Sequence, residues 1–156
     1  MPMVQTIQGT SPLAPSVRPF SRIMSLDDEA IDQMIFKRII RRSNLAEDIV
    51  SFATPAAALS YLSNPQSAPI DLILLDVNMP RMSGFEFLRE AYHQVASPPP
   101  PPVIVMLTTR LGPLHQAQAK GLDEIKAYLK KPLDVHDLKQ AMSLIQPSKV
   151  RRPLII

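Results

Sequence analysis

The sequence predicts an α/β fold in which helices cover both faces of an open, doubly wound parallel β-sheet. Two observations predict it. Short apolar runs alternate five times with segments of helical periodicity, as in repeated β–α units. The third and fourth runs, residues 70–76 and 103–108, are apolar at successive positions, which is typical of strands buried on both faces. Right-handed connections between parallel strands then fix the hand of the sheet.

Ten elements are predicted from this alternation. The strands are expected at residues 22–26, 48–52, 70–76, 103–108 and 127–129. The helices that alternate with them are expected at residues 28–42, 56–62, 85–95, 113–121 and 134–145.

The first two helices carry clear local signals. Ile31, Ile35 and Ile39 are spaced four apart and predict the apolar face of the first helix. Thr54 is a suitable N-cap for the second helix, and Pro55 suits its first turn.

The later helices are bounded by turn and cap residues. A run of prolines at residues 97–102 follows the third helix and predicts a stiff polyproline II connector, although such a run also suits an aromatic-lined groove of a partner. Gly121 closes the fourth helix. Asp134 is the expected cap of the last helix, whose apolar face is predicted to contain Val135, Leu138, Met142 and Ile145.

The chain of 156 residues is expected to hold one folded domain, at residues 21–146. Residues 1–20 carry four prolines and no apolar period, which is typical of a flexible extension. The end segments 1–22 and 147–156 hold five basic residues and no acid, whereas the rest has 12 basic and 14 acidic residues. The net charge of +3 therefore comes from the ends, where a basic tail is either solvated or contacts an acidic partner.

Composition excludes several classes of protein. The chain has no cysteine, which excludes disulfides, thiolate metal sites and a thiol nucleophile, and suits a reducing cytosol. No apolar run approaches the ~18 residues of a membrane span. The N-terminus lacks the basic cluster and apolar stretch of a signal peptide. A cytoplasmic protein without membrane association is expected.

Polar residues follow four of the five predicted strands. In an open parallel sheet, function sits beyond the carboxyl ends of the strands. There the sequence places Asp27, Asp28, Asp76, Thr108, Thr109, Lys130 and Lys131. Each alone has an ordinary explanation as a cap, a strand residue or a solvated charge, but their meeting at one edge favours a site.

The chemistry of this set points to phosphoryl transfer. Three crowded carboxylates repel one another, so a cation should share the site, and an all-oxygen ligand set favours Mg²⁺. A carboxylate beside Mg²⁺ and a lysine is a competent nucleophile for a phosphoryl group. A threonine hydroxyl can donate a hydrogen bond to the product.

At this point the chain resembles a known family. Residues 21–146 are similar to two-component response-regulator receiver domains of the chemotaxis-regulator type, with a flavodoxin-like sheet in the order 2-1-3-4-5. The matching features are the pair Asp27-Asp28, Asp76 in "LLDVNMPRMSG", Thr108 in "VIVMLT", and Tyr128 three residues before Lys131 in "AYLKKP".

The resemblance implies a role for each residue. Asp76 is expected to be the phosphoacceptor, and Lys131 to contact the phosphate through a loop with a cis Lys131–Pro132 bond. Thr108 and Tyr128 are expected to form the switch. The Mg²⁺ ligands are expected to come from Asp27, Asp28, Asp76 and the backbone carbonyl of Asn78.

The resemblance also implies partners. A histidine kinase or histidine phosphotransfer protein is the expected donor, because His93, His115 and His136 lie in separate helices without a site. A downstream protein is expected to bind the face of helix 4, strand 5 and helix 5, without direct DNA binding. Since ten residues follow residue 146, a stand-alone regulator is expected.

Departures from the family pattern leave alternatives. Thr109 stands where a small residue is usual, and the segment 108–131 is one residue longer than in the plainest members of the family. A phosphorylation-independent scaffold is the first alternative, which the intact acidic set disfavours. A Mg²⁺-dependent phosphohydrolase is the second, but such enzymes usually carry an acid at the position of Asn78. Nucleic-acid binding through the tails lacks a recognition helix.

Overall fold

The computed structural model describes residues 20–94, 102–110 and 112–145. Its strands are β1 (Phe20–Leu26), β2 (Ala46–Phe52), β3 (Leu72–Asp76), β4 (Val103–Thr108) and β5 (Ile125–Lys130). Its helices are α1 (Ala30–Ser43), α2 (Pro55–Ser63), α3 (Gly84–Gln94), α4 (Pro113–Gln118) and α5 (Val135–Leu144). All ten predicted elements are present in the predicted order.

The five strands form one parallel sheet in the order β2-β1-β3-β4-β5. This confirms the predicted fold class. Leu26 at the end of β1 pairs with Leu75 of β3, and Asp76 pairs with Leu107 of β4. The carboxyl ends of these strands therefore lie side by side, at the point where the strand order reverses and a crevice forms.

The sheet is buried on both faces because successive strand residues point to opposite sides. Leu72 and Leu74 of β3 belong to the core beneath α1 and α5, while Ile73 and Leu75 belong to the core beneath α2 and α3. Every residue of β3 is buried. This two-sided burial explains the unbroken apolar run.

The buried face of α1 differs from the predicted one. Phe36 and Ile40 are fully buried, and Ile35 and Ile39 pack beside them, but Ile31 is 71% exposed. A helix turns by about 100° per residue, which places Ile31 on the side opposite to Ile40. The prediction that Ile31 belongs to the apolar face was therefore wrong.

The two predicted N-caps are present, and one predicted core residue is not buried. The prediction that Gly121 closes the fourth helix was wrong, because α4 ends at Gln118 and its C-cap is Ala119. Thr54 accepts a hydrogen bond from the Ala57 amide at 3.3 Å, and Asp134 accepts one from the His136 amide at 2.6 Å. On α5, the apolar face contains Leu138, Met142 and Ile145 as predicted. Val135, the first residue of α5, is 40% exposed.

The first strand begins two residues earlier than predicted. Phe20 is 2% exposed, packs in the core beneath α1, and donates its amide hydrogen to the Leu45 carbonyl at 2.9 Å. The boundary predicted after residue 20 therefore separates a core side chain from its domain. A single aromatic residue beside polar neighbours gave no strand period from which this could be predicted.

Several predictions concern residues outside the described part of the chain. The predicted extension before Phe20, the predicted tail at 147–156 and nearly all of the SPPPPP segment at 97–102 lie there. Within the described ranges, none of the helices has the length and apolar character needed to cross a bilayer.

Candidate functional site

The carboxyl ends of four strands bring the predicted polar residues to one edge of the sheet. Asp27 directly follows β1, Asp76 ends β3, and Thr108 ends β4. Thr108 pairs with Lys130 at the end of β5, and the next residue is Lys131. The side chains that the sequence placed at this edge are therefore neighbours in space.

Three carboxylates form an acidic pocket at this edge, made of Asp27, Asp28 and Asp76. Ligand oxygens from all three lie within 4.8 Å of one another. Asp27 is fully buried and Asp76 is 3% exposed, whereas Asp28 lies toward solvent. The pocket is thus closed at its base and open on the side of Asp28.

Lys131 supplies the positive charge of the pocket. Its Nζ atom lies 2.6 Å from Asp27 Oδ2 and 3.3 Å from Asp76 Oδ2. It also donates a hydrogen bond of 2.9 Å to Asp32 Oδ2. The Lys131–Pro132 peptide bond is cis, as the resemblance implied. The adjacent Lys130 is exposed, so Lys131 is the lysine that faces the acids.

Burial and charge shift the titration of these groups. Burial raises the pKa of Asp76 to about 6, the charge of Asp27 adds to this, and Lys131 opposes it. Burial also raises the pKa of Asp27 against the effect of Lys131. Burial lowers the pKa of Lys131, but its contacts with Asp27 and Asp32 and the charge of Asp76 outweigh this and leave it raised. The single positive charge of Lys131 therefore does not offset the effect of burial on Asp27 and Asp76, whose pKa values stay raised.

The acidic pocket fits a hard divalent cation. Asp27 Oδ2 is buried and receives no aligned hydrogen bond within the described residues, despite the nearby lysine. Three carboxylates share this edge with one lysine, so the pocket carries an excess of negative charge that a cation would balance. The oxygen-only donors of Asp27, Asp28 and Asp76 suit Mg²⁺, which keeps part of its water shell.

The loop after Asp76 is held tightly against the pocket. The Asn78 amide donates to Asp76 Oδ1 at 3.1 Å, which orients the carboxylate. The loop then returns so closely that a Cβ on Gly84 would lie 2.5 Å from the Asp76 carbonyl oxygen. Ser83 and Glu86 cap α3 reciprocally, each accepting a hydrogen bond from the amide of the other.

Thr108 and Tyr128, the two predicted switch residues, lie near the pocket. No polar contact joins them within the described residues. The Thr108 hydroxyl donates to the Arg110 carbonyl at 2.9 Å and accepts from the Arg110 amide at 3.2 Å. Thr109 is exposed. Tyr128 is half-buried, and its hydroxyl has no hydrogen-bond partner among the residues that the structure describes. Burial raises the pKa of this hydroxyl.

Two residues of α1 brace the pocket and were missed from the sequence. Asp32 contacts Lys131, and Gln33 donates to the carbonyls of Asp27 at 2.9 Å and Phe52 at 2.7 Å. Both residues lie inside a helix, so the pattern of polar residues after strands does not indicate them. The available signal was their place in the first turn of a helix that starts at the same edge.

The histidines contribute nothing to the pocket. His93 and His136 are exposed, and His115 packs beside Phe85 with ring centroids 6.1 Å apart. This agrees with their prediction as residues outside the site.

Comparisons with known proteins point to one family. Residues 23–143 match the family described as the response regulator receiver domain. The two-component response regulator ARR7 of Arabidopsis thaliana is 26% identical over 146 residues, which cover 88% of this chain and 68% of that protein.

Solved structures of similar sequence share the fold. A two-component response regulator from Cytophaga hutchinsonii is 27% identical with a TM-score of 0.71, over 81% of this chain and 97% of that one. The chemotaxis protein CheY4 of Vibrio cholerae is 26% identical with a TM-score of 0.62, over 81% and 98%. The matched region of the family includes every residue of the acidic pocket and Lys131.

Proposed function

Because the chain belongs to the response regulator receiver domain family, we propose that it is a phosphoacceptor switch which receives a phosphoryl group on Asp76. The observation that carries this proposal is the setting of Asp76. Its carboxylate is almost fully buried at a strand end, 3.3 Å from the Lys131 ammonium and beside two further acids. A histidine kinase or histidine phosphotransfer protein is the proposed donor.

The residues of the pocket divide the chemistry among them. One oxygen of Asp76 attacks the phosphorus, the P–N bond to the donor histidine breaks, and the imidazole keeps the bonding electrons. The Asn78 amide holds the other oxygen of Asp76, which fixes the direction of attack. Phosphorylation of Asp76 would remove the ion pair between Lys131 and the free carboxylate. Lys131 would then be placed to contact a phosphoryl oxygen.

Receiver domains bind Mg²⁺ at an acidic pocket, and the donors of this chain fit that ion. Asp27, Asp28 and Asp76 would hold it, and the backbone carbonyl of Asn78 is the proposed fourth protein ligand. A bound Mg²⁺ supplies positive charge to the phosphoryl oxygens. The partial exposure of Asp28 leaves a side open for the donor.

Phosphorylation is proposed to change the surface formed by α4, β5 and α5. The added group brings about −1.5 to −2 charges. Thr108 would exchange its bond with Arg110 for one with the phosphoryl group, and the half-buried Tyr128 would then move into the vacated space. Both forms exist before phosphorylation, which shifts their populations. The downstream partner is proposed to be a protein that binds this surface.

The alternatives have less support. A scaffold that is never phosphorylated has no use for a buried acidic pocket that costs folding energy. The receiver family is a phosphoacceptor switch and generally not an enzyme, and Asn78 offers an amide where a phosphohydrolase usually carries an acid. We retain residues 21–146, extended by Phe20, as the proposed receiver unit.

Labelling with a small phosphodonor tests the proposal. The protein is incubated with Mg²⁺ and acetyl phosphate, and the adduct is located by mass spectrometry. We expect one phosphoryl group on Asp76 and none on Asp76→Asn. Asp123→Asn is the matched control, because Asp123 is exposed and lies outside the pocket. Full labelling of Asp76→Asn, or stable labelling at another residue, would refute the assignment.

A further inference from the structure

Within the described residues the ammonium of Lys131 contacts three carboxylates, and one of them, Asp32, lies outside the acidic pocket. Nζ donates to Asp32 Oδ2 at 2.9 Å, and it lies 2.6 Å from Asp27 Oδ2 and 3.3 Å from Asp76 Oδ2. The Asp32 side chain is 22% exposed, and the Lys131 side chain is 9% exposed. Asp32 is therefore the partner of Lys131 that costs least to keep charged.

Among the described carboxylates in contact with Lys131, Asp32 is the one outside the metal-binding group. The oxygens that lie within 4.8 Å of one another belong to Asp27, Asp28 and Asp76. A divalent cation held by those oxygens would neutralise two of the partners of Lys131 and repel its ammonium. The carboxylate of Asp32 would be unaffected.

From this division, and resting on the function proposed above, we infer that Asp32 is a positioning residue that keeps Lys131 at the pocket while Mg²⁺ occupies the other carboxylates. An ammonium has three donor hydrogens and no acceptor, so it can keep its bond to Asp32 and direct another hydrogen at the phosphoryl group.

The neighbouring residue fixes the helix that carries Asp32. Gln33 donates to the carbonyls of Asp27 and Phe52, and its side-chain oxygen accepts from the Ser25 hydroxyl at 2.6 Å. These bonds join the first turn of α1 to the ends of β1 and β2. The position of Asp32 relative to the pocket is thereby set by partly buried contacts, which give Lys131 a fixed anchor.

Two measurements on Asp32→Asn test this inference. Without its anchor, Lys131 is free to oppose the cation, so the Kd for Mg²⁺ should rise about fivefold in calorimetric or NMR titration. At saturating Mg²⁺, phosphorylation by acetyl phosphate should slow roughly tenfold, because the lysine no longer meets the transferring group. Asp32→Glu should recover most of both properties.

Two controls separate anchoring from simple loss of charge. Glu29→Gln removes an exposed acid from the same end of α1 without a contact to Lys131, and it should leave both measurements nearly unchanged. In the Lys131→Gln background, Asp32→Asn should have little further effect. An equal effect of Asp32→Asn in both backgrounds, or an equal effect of Glu29→Gln, would overturn the inference. Metal affinity is measured on the unphosphorylated protein, so it tests Asp32 even where Asp76 accepts no phosphate.

Discussion

The hydroxyl of Thr108 points at the backbone of Arg110, with which it exchanges two hydrogen bonds of 2.9 and 3.2 Å. In the unphosphorylated form, the hydroxyl that the proposed switch requires is therefore already hydrogen-bonded to Arg110. Breaking two neutral hydrogen bonds costs about 1–3 kcal/mol in total, which a charge-assisted bond to a phosphoryl oxygen can offset. The switch is therefore a competition between Arg110 and the phosphoryl group for one hydroxyl.

Replacing Thr108 should separate phosphorylation from the response to it. Thr108→Ala keeps Asp76, Lys131 and the acidic pocket, so it should still be labelled by acetyl phosphate. Without the hydroxyl, amide chemical shifts across residues 110–140 should change much less on addition of beryllofluoride than in the parent. Thr109→Ala, at the exposed neighbouring position, is the control and should respond like the parent. Full parental shifts in Thr108→Ala would rule out this relay.

Removing one carboxylate from the pocket should weaken the metal site. Asp28 lies on the solvent side of the triad, so Asp28→Asn should leave the fold intact. We expect the Kd for Mg²⁺ to rise at least about tenfold, since even indirect supports of metal ligands have effects of that size. The Kd for Mg²⁺ is measured by NMR titration, with Asp123→Asn as the control variant. Equal affinities in the two variants would place the ion elsewhere.

The start of the domain gives a stability prediction. The sequence predicts that residues 1–20 are dispensable for folding, but Phe20 is a core residue of β1. Phe20→Ala should lower the free energy of unfolding by about 3 kcal/mol. Ser21→Ala, at the exposed next position, should cost little. Urea unfolding measures both, and a Phe20→Ala midpoint equal to that of Ser21→Ala would show that Phe20 contributes no packing energy.

The fold was predictable from the alternation of apolar runs with helical periods, and the floor of the pocket was predictable from the residues at the strand ends. A polar residue after a buried strand of a parallel sheet lies at the carboxyl edge, which located Asp76, Thr108 and Lys131 together. Asp32 was not predictable in this way, because its place depends on how the first turn of α1 leans over the edge. The rotamer of Thr108 depends on the loop that follows it, and no residue pattern encodes that contact.

The raised pKa of Asp76 makes stability depend on pH in a definite direction. The ordinary value for this carboxyl is 3.8, and burial beside Asp27 raises it to about 6. Between these values the folded protein binds more protons at Asp76 than the unfolded chain does. The contribution of Asp76 to the free energy of unfolding is therefore highest below about pH 4 and falls as the pH rises through 6.

Asp76→Asn should remove this loss. In chelator-treated protein, the substitution should stabilise the fold at pH 7 by ~1–3 kcal/mol, because a neutral amide replaces a charge that burial and the nearby Asp27 disfavour. The gain should shrink as the pH falls and approach zero only below pH 4, where the parent carboxyl becomes protonated in both states. Urea unfolding at pH 4, 5.5 and 7 measures the trend, with Asp123→Asn as the exposed control. If the gain in stability were the same at every pH, the substitution would act through packing, and the charge of Asp76 would not destabilise the fold.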